Sequence, residues 1–322
     1  FGQHVLSMDV MRSDGSVTTC SPTENAEFYS ITLGGMGLSG IILNATFRLR
    51  KIETAFIREE TRRAANLEEI MDAFEASDHW NYSVAWIDCL AKGDSLGRSI
   101  MMRGEHAASS ELVNPSHKAA PLSLKQGITL DVPFNLPNFA LNHGTMKAFN
   151  FAYYNKCRPG THQNLVDYNR FFYPLDAVSN WNRIYGKRGF TQYQFVIPKA
   201  AGREGMRKIL NRITESGLGS FLAILKLFGD QGNGFMSFPM AGYTLALDFP
   251  ISFKAMDLFK ELDAMVADYG GRLYLAKDSR MDADFFERTY PNANEFRQAI
   301  AMLNEGDTKF ASLQSKRVGI TS

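Results

Sequence analysis

The chain has 322 residues, enough to bury a sizeable core and to build one large or two ordinary domains. Its 35 basic and 34 acidic residues balance to a formal net charge of +1, and no basic stripe interleaves with aromatics, which argues against a nucleic-acid partner. Three well-separated cysteines, Cys20, Cys89 and Cys157, match no metal spacing and suit a reducing compartment, and no apolar run approaches the roughly 20 residues needed to cross a membrane.

Val5 to Met11 and Val17 to Cys20 flank Ser13-Asp14-Gly15 and read as a β-hairpin. Glu24 to Ile31 reads as a short helix led in by Ser21-Pro22-Thr23. The cluster Gly34-Gly35-Met36-Gly37-Leu38-Ser39-Gly40 then spells G-x-G-x-x-G. A dinucleotide loop of that pattern needs a strand before it and a helix N-terminus after it, to hold the pyrophosphate on free N–H groups. Here the order is reversed. Ile41, Leu43, Ala45, Phe47 and Leu49 alternate with polar neighbours and predict a half-buried strand, so the glycines either turn the chain or have another task.

From Phe56 the pattern changes. A strand over Phe56 to Thr61 leads through Asn66, a suitable N-cap, into a helix over Leu67 to Ser77, followed by strands around Tyr82 to Leu90 and Ser99 to Arg103. Residues 107–145 carry Pro115, Pro121, Pro133 and Pro137 and read as irregular; Phe134, Leu136, Phe139 and Leu141 would either cover an apolar ligand or pack on the core. Thr191 to Lys277 is the most regular region, in the order strand, helix, strand, strand, helix, strand. Its helices carry 3.6-residue stripes (Met206, Ile209, Leu210, Ile213; Leu258, Phe259, Leu262, Val266) and stop at Gly217 and at Gly270-Gly271. This βαββαβ order predicts an α+β arrangement, an antiparallel ferredoxin-like layer with helices on one face.

Alternation says what the opposite face would carry. Tyr193, Phe195 and Ile197 share one face, leaving Gln192 and Gln194 on the other; Leu245, Leu247 and Phe249 likewise leave Thr244, Ala246 and Asp248. Lys226 interrupts an otherwise apolar strand, where burial is costly unless its ammonium is paired. Gln192, Gln194 and Lys226 therefore predict a polar ligand floor, the alternative being a plain solvent-facing sheet. Tyr274-Leu275-Ala276-Lys277-Asp278-Ser279-Arg280 places a lysine and an arginine around an aspartate; Lys277 reads as half of a salt bridge or as a cation facing a ligand. Six scattered histidines make no zinc spacing, and no G-x-S-x-G, Walker A or kinase signature is present.

Several of these stretches, taken in order, resemble the vanillyl-alcohol-oxidase type of FAD-linked oxidoreductases, and within it the polyprenylphosphoryl-ribose 2′-epimerase flavoproteins. They are Phe1 to Val5 with Ser7-Met8-Asp9, Gly34 to Ile42, Ala85-Trp86 with Leu96-Gly97-Arg98, Trp181-Asn182-Arg183, Gln192 to Pro198, Lys226 to Gly229, and Gly270 to Arg280. The resemblance implies non-covalent FAD lying along Gly37, Ser39 and Ile42, and a sugar pocket lined by Gln192, Gln194, Lys226, Phe228, Arg183, Trp86, Tyr274, Phe172, Thr244 and Ala246. It implies that Lys277 stands beside the flavin and is essential for turnover. The implied reaction oxidises the ribose C2′ hydroxyl to a ketone, as the first half of a 2′-epimerisation in cell-envelope polysaccharide synthesis. A separate NAD(P)H-dependent short-chain reductase would act on the keto product. No metal is implied.

The chain departs from that pattern at Ala246, where the family has a cysteine, at Thr244 in place of an asparagine, at Phe172 in place of a tyrosine and at Met36 in place of an asparagine. The matching implies an α+β fold in which residues 1–55 are the second part of an FAD-binding domain, 56–271 a substrate cap with a large antiparallel sheet, and 272–322 a segment returning to the FAD side. The family's first phosphate-binding loops would precede Phe1, so the 322-residue chain alone is expected to hold FAD weakly or not at all. A cytoplasmic location follows, peripheral to the inner membrane if the substrate is lipid-linked. An aldonolactone or alditol oxidase, and a non-catalytic carbohydrate-binding fragment, are the competing readings.

Overall fold

A computed structural model describes residues 2–124, 127, 129–304 and 309–322; Phe1, the first residue of the family resemblance, lies outside them. The N-terminal hairpin forms as its turn residues require, with β1 (Val5–Met11) paired to β2 (Val17–Cys20) and Gly15 at φ +87°. Helix α1 (Ala26–Thr32) starts two residues later than Glu24, because Asn25 sits in the left-handed region at φ 48°. Strand β3 (Ile41–Phe47) pairs antiparallel with β1.

One expectation fails here. All seven residues of β3 are exposed, and Ile41, Leu43 and Phe47 keep 49%, 48% and 44% of their surface. Alternation reports a two-faced strand, not what covers it. The core under this sheet is built instead by Val5, Met8 and Val10 of β1 against Phe28 and Tyr29 of α1, and β3 lies at the sheet edge beyond it.

The rest of the chain builds one large antiparallel sheet. In chain order its first half comprises β4 (Phe56–Ala64), α2 (Leu67–Glu75), β5 (Tyr82–Ile87) and β6 (Ser99–His106). Then come α3 (Pro115–Ala119), β7 (Leu130–Asp131), α4 (His143–Lys156), β8 (Thr161–Asp167), α5 (Tyr168–Phe172) and β9 (Val178–Ser179). The second half comprises β10 (Phe190–Pro198), α6 (Lys199–Ser216), β11 (Ala223–Phe228), β12 (Gly242–Pro250), α7 (Phe253–Asp268) and β13 (Arg272–Leu273). The strand order is β13-β10-β12-β11-β5-β6-β4-β8, with β7 and β9 forming a separate parallel pair.

The second half realises the expected βαββαβ unit. Strand β10 lies between β12 and β13, and β12 lies between β10 and β11. The first half repeats the same order, β4-α2-β5-β6-α4-β8, with equivalent neighbours in mirror sequence along the sheet. The two units join through their second strands, with Ile224 opposite Trp86 and Leu225 opposite Ala85. The second repeat is veiled in the sequence because 107–142 stretches one crossover far beyond its counterpart.

Helices α2, α6 and α7 cover one face. Asn66 caps α2 by accepting from the Glu69 N–H, and Leu67, Ile70, Met71 and Phe74 turn onto the sheet. Gly202 lets α6 close on the sheet, since a Cβ there would lie 2.5 Å from the Tyr243 ring. Gly217 ends the helix at φ 68°. Tyr193, Phe195, Ile197, Leu245, Leu247 and Phe249 face these helices in the core, as alternation predicts. Helix α4 lies on the opposite face. Its Tyr153 and Tyr154 pack with Trp86 and Ile100, whose alternation points away from the main core. Asn150, also on α4, donates to Asp88 Oδ1 at 2.8 Å.

Beyond β13 the chain forms α8 (Ala283–Thr289), α9 (Ala293–Leu303) and α10 (Leu313–Arg317). These return to the N-terminal sheet: Asn304 Nδ2 donates to the Leu38 carbonyl at 3.0 Å, and Arg12 Nη2 donates to the Leu303 carbonyl at 2.7 Å.

Candidate active site

Strand register assembles the site. Gln194, Ala246, Ile224 and Trp86 form one continuous row across four strands, on the face opposite α2, α6 and α7. A neighbouring row holds Val196, Thr244 and Lys226, and on the other side Gln192 pairs with Asp248. The turn after β13 brings in Tyr274, whose N–H bonds the Gln194 carbonyl, and Lys277. Gln192, Gln194, Tyr274 and Lys277 together line one small cleft of about 10 Å³, with Thr191, Tyr193, Phe259 and Ser279.

Hydrogen bonds fix how the amides point. Gln192 Nε2 donates to Asp248 Oδ1 at 2.7 Å, so its Oε1 stays free to accept. Gln194 Nε2 lies 3.4 Å from Thr244 Oγ1, which makes Thr244 the support of this amide. Asp248 is only 1% exposed, and burial pushes its carboxyl up to about 6 against the lowering effects of the Gln192 bond and the Lys277 charge. Asp248 Oδ2 and the Tyr185 hydroxyl are buried with no hydrogen-bond partner among the described residues. The Tyr185 hydroxyl is pushed up by burial and then by the Asp248 charge, which puts both groups in one electrostatic neighbourhood.

Lys277 is exposed and makes no salt bridge among the described residues, contrary to the ion-pair alternative. Its neighbours take that role: Arg280 is held by Asp263 at 2.5 and 2.7 Å, and Asp278 pairs with Arg317 at 2.9 Å. These bonds anchor the turn and leave Lys277 as its free cation. Lys226 is exposed too, yet the protein packed around it holds its ammonium below the usual lysine value.

An aromatic chain closes one side. Phe228 meets Phe238 edge to face at 5.9 Å, and Phe238 stacks on Tyr274 at 4.6 Å. Other candidates lie elsewhere. Trp86 is buried beneath Tyr153, and its indole N–H is bound by the Phe221 carbonyl at 2.9 Å. Arg183 donates from Nη1 to the carbonyls of Val132 and Pro133, tying these residues to the turn Trp181–Tyr185 ahead of β10. Phe172, at the end of α5, packs with Phe171 and with Tyr82 of β5, the strand next to that of Lys226. Within the glycine turn, Ser39 is buried on Thr32 at 2.9 Å, Ile42 is 49% exposed, and Gly37 has φ +75° with open space where a Cβ would be. Asp248, Tyr185 and Phe238 are the residues that the site reading missed. Alternation had put Asp248 on the right face, whereas Tyr185 and Phe238 lie outside any periodic element.

No family model matches the chain. Decaprenylphosphoryl-beta-D-ribose oxidase of Mycolicibacterium smegmatis is 37% identical to it over 324 residues, 99% of this chain and 69% of that protein. The chain belongs to the FAD-linked oxidoreductases of the vanillyl-alcohol oxidase type. An uncharacterised protein in the mprA 5′ region of Streptomyces coelicolor is 26% identical, over 99% of this chain and 88% of its own length. Cytokinin dehydrogenase 3 of rice matches over 48 residues at 42% identity, 15% of this chain and 9% of that one. The fold is that of BBE-like 1 variant D396N of Physcomitrella patens, with a TM-score of 0.56 at 14% identity, covering 94% of this chain and 63% of that structure. These relatives make the chain an FAD-linked oxidoreductase with a large antiparallel sheet.

Proposed function

We propose that this protein oxidises the C2′ hydroxyl of a polyprenylphosphoryl ribose to a ketone. The 37% identity to a decaprenylphosphoryl-ribose oxidase, running over 99% of the chain, is the observation that carries the reading. The residues present suit a flavin and a sugar side by side. Lys277 is a cation free of ion pairing among the described residues, Gly37 leaves its backbone open, and Asp248 Oδ2 and Tyr185 are buried polar atoms free to bond. In this reading Gly37, Ser39 and Ile42 border the cofactor, Ser39 through its backbone, and Lys277 stands at its edge. Bound FAD supplies the acceptor for the electron pair that leaves the carbinol carbon.

The chain's own groups then have separable tasks. Gln192 Oε1 accepts from a sugar hydroxyl because its N–H group is committed to Asp248. The Lys277 ammonium polarises the hydroxyl that is oxidised and offsets developing negative charge near it. Phe228, Phe238 and Tyr274 provide a flat apolar wall. Thr244 and Ala246 set the floor beneath, and Lys226 and Phe172 border it. Trp86 and Arg183 act through packing, the one under α4 and the other by strapping the 130s segment. The contacts of Asn304 and Arg12 support residues 1–55 and 272–322 as a flavin-side unit and 56–271 as the cap. A nicotinamide-dependent reductase would consume the keto product, and a lipid-linked substrate would bring the protein to a membrane surface.

Product analysis tests the reading. FAD-loaded protein is expected to convert polyprenylphosphoryl ribose to its 2′-keto form and to leave free polyols untouched. Peroxide release from free alditols or aldonolactones, with no turnover of the lipid-linked sugar, would favour an alditol or aldonolactone oxidase instead.

A further inference from the structure

A second cavity, of about 320 Å³, opens between the N-terminal turn of α4 and the loop 88–98, and shares no lining residue with the site above. Lys92, Arg98, His143 and Lys147 line it, with Phe151 and Leu90 as apolar wall. Asp88 is the one carboxylate among its lining residues, and that charge is already spent. Asp88 Oδ2 accepts from Arg98 Nε and Nη2 at 2.9 and 2.7 Å, while Oδ1 accepts from the Leu90 N–H and Asn150 Nδ2. Lys92 and Lys147 make no salt bridge among the described residues. His143 Nδ1 is 3.1 Å from the Gly217 carbonyl, which can only accept, so this nitrogen carries the proton and Nε2 faces elsewhere.

Two uncompensated lysines beside a neutralised Arg–Asp pair give the cavity a surplus of positive charge and of N–H donors. Its wall is apolar. We infer that this cavity binds the phosphoryl group of an amphipathic phosphate ester, with Lys92 and Lys147 around the oxygens and Phe151 against the apolar part. The Arg98–Asp88 pair, braced by Asn150, is the positioning frame that holds the loop against α4. The phosphoryl group could come from a soluble phosphate or from a phospholipid headgroup, and the experiment separates these.

Inorganic phosphate is titrated into the protein calorimetrically, and vesicles of phosphatidylcholine with or without phosphatidylglycerol are sedimented with it. The expected result is saturable phosphate binding, or phosphatidylglycerol-dependent sedimentation, that weakens about tenfold for each of Lys92→Gln and Lys147→Gln. Lys254→Gln, on an exposed turn of α7, should leave it unchanged. Phosphate binding alone identifies a soluble ligand, and vesicle binding alone identifies a headgroup. Neither form of binding, or binding that survives the double substitution, would overturn the inference.

Discussion

Asp248 accepts a 2.7 Å hydrogen bond from Gln192, while its second oxygen is buried and unpartnered among the described residues. Its carboxyl is pushed from 3.8 up to about 6, chiefly by burial. A raised carboxyl binds its proton more tightly in the folded than in the unfolded state, so stability falls as pH rises from about 4 to about 6 and stays lower above that. The shift corresponds to about 3 kcal/mol. Asp248→Asn removes the ionisation while keeping the shape. Its melting temperature should exceed that of the native protein at pH 8 and converge with it near pH 4; an equal difference at both values would contradict the assignment. The polar floor of Gln192 and Gln194 was legible from alternation alone, because a strand's two faces are fixed by geometry. The task of Asp248 was not, since burial and partners depend on β10 and β12 pairing in register.

Helices and strands with strong periodic stripes are where sequence and structure agree best. Asn66, Gly217 and the buried positions of α6 and α7 all stand where their chemistry requires. The failure sits where tertiary context decides: β3 alternates, yet all seven of its residues are exposed at the edge of its sheet. The first βαββαβ unit escaped notice because its crossover through 107–142 has no helical or strand period of its own. Gly202 tests the packing at this scale. Alanine is the better helix former by about 1 kcal/mol, yet its Cβ would meet the Tyr243 ring at 2.5 Å. Gly202→Ala should therefore destabilise the protein by roughly 1–3 kcal/mol in urea unfolding. A gain in stability would mean that α6 does not press on β12 as described.

Across the whole molecule, two βαββαβ units joined at β11 and β5 make a single sheet, and a short turn after β13 delivers Lys277 to its edge. The same route carries the chain into α8, α9 and α10, which close on the N-terminal sheet and its glycine turn. One continuous scaffold thus links the glycine turn, Lys277 and the amides of Gln192 and Gln194. The central claim is that Lys277 serves oxidation at this site. It is tested most directly by anaerobic mixing of FAD-loaded protein with polyprenylphosphoryl ribose while the absorbance of oxidised flavin is followed. The native protein should bleach, and Lys277→Met, with its FAD content unchanged, should bleach at least about a hundredfold more slowly. Bleaching of Lys277→Met at the native rate would contradict the account.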